Sequence, residues 1–100
     1  MALVKLAASE AMRGRPLLDG PIEFSMTAAF QWPSSVSQRK RLLPINRWHT
    51  SKPDLDNLGK IITDSLNGIV YPDDRAIASS HHWKVREETP MLRIRIRTLE

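Results

Sequence analysis

Asp54 and Asp56 stand two residues apart, Lys60 follows four positions later, and Asp73 and Asp74 lie side by side beyond it. Like charges this close repel, and a divalent cation between them removes the penalty. Magnesium takes oxygen ligands and needs only one or two carboxylates plus a substrate phosphate. If the chain entering this stretch is extended, both carboxylates point one way and Leu55 points into the core. Asp73 or Asp74, carried back by the intervening residues, can supply a third ligand. Lys60 lies about one helical turn beyond Asp56, placed to hold a phosphate or to meet charge developing on it. Metal, carboxylates and a lysine together suit phosphodiester hydrolysis, in which the ion polarises the phosphoryl oxygen and generates hydroxide from water. The same residues also have a plain structural reading. Asp-x-Asp-Asn before a helix is a cap, and Asp-Asp after a proline is a turn. Spacing alone leaves both open. Asp64 reads as an exposed helix residue, four positions after Lys60 in the weaker ion-pair orientation.

The elements that must position these groups follow from periodicity. Residues 2–12 are rich in helix formers, and the helix ends near Gly14 with Pro16 as a stop. Ile22, Phe24, Met26, Ala28 and Phe30 recur at period two between mostly polar neighbours, which predicts a half-buried strand. Residues 33–53 show no period and read as a long basic surface loop. A helix is expected over 57–67, capped by Asp56 or Asn57, with Leu58, Ile61, Ile62 and Leu66 on its apolar face and Gly68 after its end. Strands follow at 76–85 and over MLRIRIRTL, where Leu92, Ile94 and Ile96 oppose Arg93, Arg95 and Arg97. Helix, strand, helix, strand, strand gives an α/β (mixed α+β) layer: a small sheet with helices packed on it.

The 100 residues suit one domain, 1–100. Fifteen Lys and Arg against 11 Asp and Glu leave a net charge of +4 and a sequence pI near 10.0, a balance that suits a polyanion. Five of the basic residues, Arg39, Lys40, Arg41, Arg47 and Lys52, fall in the acid-free stretch 38–53 and are the candidates for DNA phosphates. The arginines of the last strand could line a DNA face, pair with acids across a dimer, or face water. Trp48 can stack on an unpaired base or pack beneath the loop; Trp32 and Trp83 are core or sheet-face residues. His81 and His82 alternate on a strand, so they do not share an ion. Glu23 lies on the polar face of its strand, within conceivable reach of a metal. Absence of cysteine excludes disulfides and thiolate zinc. No apolar run approaches the roughly 20 residues of a membrane span, and the opening residues read as a helix, not a signal peptide.

DLDNLGKIITDSLNG followed by YPDD resembles the RusA family of Holliday junction resolvases of bacteria and their phages, whose pattern is D-L-D-N-L-x-K, an amphipathic helix, an aromatic-containing turn and D-D. The specific match is confined to residues 52–74, and the order of elements follows the family along most of the chain. The resemblance implies a small sheet of about three to four strands with two helices, without the strand that usually opens the family. It implies a magnesium-dependent endonuclease, with manganese able to substitute. It would act as a homodimer that nicks paired strands of a four-way DNA junction in recombination and repair. Asp54, Asp56 and Asp74 correspond to the metal-binding catalytic aspartates, Asp74 outranking Asp73, and Lys60 to the helix lysine. Branched DNA is then the partner, with no membrane and no small-molecule substrate, in a bacterial cytoplasm or encoded by a phage. The loop before the motif is longer than in the family and its basic residues are spaced differently, so junction contacts do not transfer position by position. The competing expectation is a non-catalytic DNA-binding remnant of the same fold, inactive for want of the first strand.

Overall fold

The computed structural model describes residues 1–100. Its centre is β1 (Ile22–Gln31), in which Ile22, Phe24 and Met26 expose no surface. β2 (Ile77–Glu87) runs parallel to β1 on one side and β3 (Met91–Thr98) antiparallel on the other, giving the order β2-β1-β3. Residues 88–90 carry the chain from one edge to the other past the end of β1. A parallel pair cannot be joined by a tight turn. The β1–β2 crossover therefore takes up residues 32–76, which hold α2 (Gln38–Arg41), a 3₁₀ turn (Pro44–Arg47), and α3 (Leu55–Ser65). The leading helix, α1, is Ala2–Ala11.

Strand alternation divides the sheet into two unlike faces. Phe24, Met26, Ile94 and Ile96 point to one side, where they meet Val4 of α1, Ile62 of α3, and Leu66, Val70 and Tyr71 just beyond it. Burial of such side chains stabilises the layer by about 1.5–3 kcal/mol each. The register puts Ser25, Thr27, His81, Trp83, Arg93 and Arg95 on the other side, and neither α1 nor α3 packs there.

Three expectations need correction. The helix starts at Leu55, two residues early, so the segment is not extended through Asp56, and its cap is Asp54 and not Asp56 or Asn57. Its buried face includes Gly59 and Ser65, while Ile61 is half exposed, because the stripe that meets the sheet is rotated toward β2. Residues 33–53 are not wholly irregular. Ser37 caps α2 by accepting a hydrogen bond from the Lys40 N–H, and Pro44 opens the 3₁₀ turn.

Candidate active site

Asp54 adopts an extended backbone, and its Oδ1 accepts the Asp56 N–H at 2.9 Å. That bond satisfies a donor the helix leaves free, and it sets both carboxylates at the positive end of the α3 dipole. Both side chains are exposed. The segment leading to them is held from the sheet: Lys84 of β2 donates from Nζ to the Ser51 and Pro53 carbonyls, each at 2.6 Å. α3 itself lies close on β2 because Gly59 has no side chain. A Cβ there would stand 2.5 Å from the His82 ring. His82 is fixed in turn by a 2.6 Å hydrogen bond with Ser80 Oγ and an edge-on contact with Phe24. Burial holds its imidazole below the ordinary histidine range, and the nearby Asp56 charge pulls it the other way.

The Asp73–Asp74 pair is anchored farther along α3. Tyr71 is fully buried and donates its hydroxyl to the Thr63 carbonyl at 2.7 Å, and burial raises its pKa far above the usual phenol value. Beyond it the two aspartates part company. Asp73 accepts the Arg75 N–H at 2.9 Å, capping a 3₁₀ turn, and that bond holds its carboxyl below the usual range. The Asp64 carboxyl beside Asp74, together with partial burial and the nearby Asp73, pushes the Asp74 carboxyl up. Thus the second aspartate of the pair is the strained one and the first is a cap.

Asp56, Lys60 and Asp64 succeed one another at four-residue steps, spanning about 12 Å of helix rise along the exposed side of α3. Lys60 forms no ion pair. The structure therefore joins Asp54 with Asp56 and Asp74 with Asp64, with Lys60 between the two sets. No three His, Asp or Glu side chains converge as a ready ligand group. The donor chemistry fits a hard divalent ion, since these residues offer only carboxylate oxygens, and the crowding at Asp74 is a repulsion that a cation relieves. Glu23 lies on the opposite face of the sheet, bound to Arg97 at 2.8 Å, which takes it away from these acids.

Among the basic candidates Arg39, Lys40, Arg47 and Lys52 are exposed. Arg41 is engaged within the loop, donating to the Val36 and Pro33 carbonyls and pairing with Glu88. Sequence reasoning missed Asp64 as the neighbour of Asp74, Lys84 as the clamp on the Asp54 segment, and the Gly59–His82 contact. A glycine inside an otherwise helical pattern was the available signal for the last; nothing local marked the other two.

Comparison with known proteins adds a family. A family model described as endodeoxyribonuclease RusA matches residues 1–97. The chain is 31% identical over 103 residues to the uncharacterized protein YqaN of Bacillus subtilis (strain 168), an alignment covering 94% of this chain and 68% of that relative. No solved structure matches it.

Proposed function

Since the chain belongs to the RusA endodeoxyribonuclease family, we propose that it is a divalent-metal-dependent endonuclease that resolves four-way DNA junctions as a homodimer. The observation that carries this reading is an exposed Asp54–Asp56 pair at the head of α3 with an unpaired Lys60 one turn on, inside a basic chain. Asp54 and Asp56 would hold magnesium, and manganese would substitute. Asp74 does not converge with them in this structure; it would join as the third carboxylate only when the ion and DNA draw the two sets together. When bound, such an ion supplies a Lewis acid for the phosphoryl oxygen and lowers the pKa of a ligated water.

The rest is done by this chain's own groups. Lys60 meets the scissile phosphate and offsets charge gathering on it as the bond breaks. Exposed Arg39, Lys40, Arg47 and Lys52 hold flanking phosphates and fix the register of the DNA without reading its sequence. Asp54 has a second task as the cap, so its carboxylate is oriented before any ligand arrives. Lys84 and Tyr71 are positioning residues, the first for the Asp54 segment and the second for the turn that bears Asp74. Cutting two strands of one junction calls for two such sites related by a two-fold axis, which a homodimer provides.

The test is cleavage of a synthetic four-way junction beside plain duplex, with and without magnesium, for the chain and for Asp54→Asn. Paired nicks in the junction that vanish without metal and in the variant are expected. Junction binding with no nicks in either magnesium or manganese would instead establish a DNA-binding member of the family that does not cut. Cleavage undiminished in Asp54→Asn would sink the site assignment.

A further inference from the structure

The sheet face turned away from α1 and α3 is a row of cations beside exposed aromatic rings. Alternate residues of β3 set Arg93 and Arg95 opposite Thr27 and Ser25 of β1, and across β1 from these lie Trp83 and His81 of β2. Trp83 is 42% exposed and lies nearly parallel to the His81 ring, 5.9 Å away at 12°. At the free edge of β2, Trp48 forms an antiparallel bridge with Val85. Directly paired residues point to one side of a sheet, so the Trp48 ring, 46% exposed, belongs to the same face. Arg47 lies over it at 5.9 Å and lines a hollow with Thr27, Arg93 and two acids, Glu87 and Glu88. Glu88 pairs with Arg41, so the cations of the face still outnumber its free acids. Arg47, Arg93 and Arg95 take part in no ion pair; the one arginine of the face that does is Arg97, with Glu23 at its far end.

We propose that this face is a second nucleic-acid site, for single-stranded DNA, separate from the acids beside α3. The proposal rests on the chain being a DNA-acting enzyme; it uses none of the aspartates or Lys60 assigned to cleavage and shares with the junction-holding residues only Arg47, at its border. Charge complementarity selects a polyanion. Arginines two residues apart on a strand stand about 6.8 Å apart, a rail along which a flexible backbone can lay successive phosphates. Two exposed tryptophans at diagonal positions, about 7–8 Å apart, give unpaired bases a stacking platform, and stacking tolerates any sequence. A second copy of the chain is disfavoured here. A two-fold axis passing through the arginine row would set unpaired arginines of one copy near those of the other. Duplex DNA buries its base faces within the stack and leaves the two tryptophans without partners.

The experiment is fluorescence anisotropy of a labelled oligothymidylate of about 15 nucleotides. The full chain is titrated without magnesium between about 50 and 200 mM salt. Trp83→Ala and Trp48→Ala are each expected to weaken binding by roughly five- to a hundred-fold, and Trp83→Phe to restore most of it. Arg93→Ser with Arg95→Ser should lower the slope of log affinity against log salt by about 1.4, the value for two lost phosphate contacts. Asp54→Asn should bind the oligothymidylate as the unaltered chain does, which separates this site from the catalytic one. Quenching of tryptophan fluorescence in the unaltered chain provides a readout that no substitution can disturb. The proposal is overturned by absence of binding, by affinity indifferent to both tryptophans, or by an arginine variant that turns a sedimenting dimer into monomer. The last result would make the face an interface between copies. Failure of junction cleavage with oligothymidylate binding intact would count against the function proposed above and not against this site.

Discussion

Asp74 and Asp73 are adjacent in sequence and opposite in electrostatics. The Asp73 carboxyl accepts a backbone N–H and is held low, so it adds stability above the ordinary carboxylate pKa, lost as the pH falls through its depressed value. The Asp74 carboxyl, crowded by Asp64 and Asp73, is raised. Its contribution is fully present below the unfolded pKa and lost as the pH rises through the folded one, so at neutral pH the folded state carries the repulsion. Asp74→Asn should therefore raise the thermal midpoint at pH 7 while abolishing junction cleavage, the trade expected where a site is strained for function. Magnesium should raise the midpoint of the unaltered chain more than that of the variant. A midpoint lowered by the substitution would show that Asp74 is structural. Two histidines act in the other sense. Burial lowers both His82 and His49, so the stability they lend is present above the unfolded value near 6.5 and drains as the pH falls below it. Denaturant midpoints followed from pH 7.5 to pH 5 (about the span over which histidine titrates) should fall, and fall less in His82→Gln.

α3 joins the acids to the sheet, and two contacts set where it lies. Gly59→Ala gains helix propensity of about 1 kcal/mol but drives a methyl into His82, whose ring is held by Ser80 and Phe24. Overpacking of this kind costs about 1–3 kcal/mol. The single variant should lower the denaturant midpoint, and adding His82→Ala should recover part of the loss. Strict additivity of the two would refute the contact. Lys84→Met removes both hydrogen bonds to the Ser51–Pro53 carbonyls. Cleavage and metal affinity should then fall by roughly tenfold or more, since misplacing a catalytic group by about 1 Å can cost a hundred-fold, while oligothymidylate affinity stays unchanged. Much of this level was legible in the sequence. Period-two alternation gave β1 and β3, and the apolar stripe with Gly68 behind it gave α3 to within two residues. The cap was misplaced because Asp54, Asp56 and Asn57 all accept N–H groups well, and composition does not choose among them. Likewise, Lys84 and Asp64 carry no local mark, because each acts on residues brought near only by the crossover.

At the scale of the molecule, one layer of helices on a three-stranded sheet leaves much apolar surface uncovered. The radius of gyration is 15.4 Å, against about 13 Å for a compact chain of this length. α1 and β3 enclose a groove of about 690 Å³ lined by Val4, Ala8, Met12, Leu92, Ile94 and Ile96. Leu3 and Leu6 beside it are 81% and 61% exposed. Such a surface weakens a lone chain and gives a partner something to cover. The homodimer proposed for paired nicking would then contribute to stability as well as to symmetry, and stability would depend on protein concentration. For two copies unfolding together, each tenfold rise in concentration should lift the thermal midpoint by about 3–5 °C. Leu3→Ser with Leu6→Ser should flatten that dependence if α1 contributes to the interface. Scanning calorimetry over a hundred-fold range, beside sedimentation at the same concentrations, checks both. A midpoint independent of concentration, with a monomer throughout, would remove the homodimer. Paired nicks would then need two chains brought together by the junction itself.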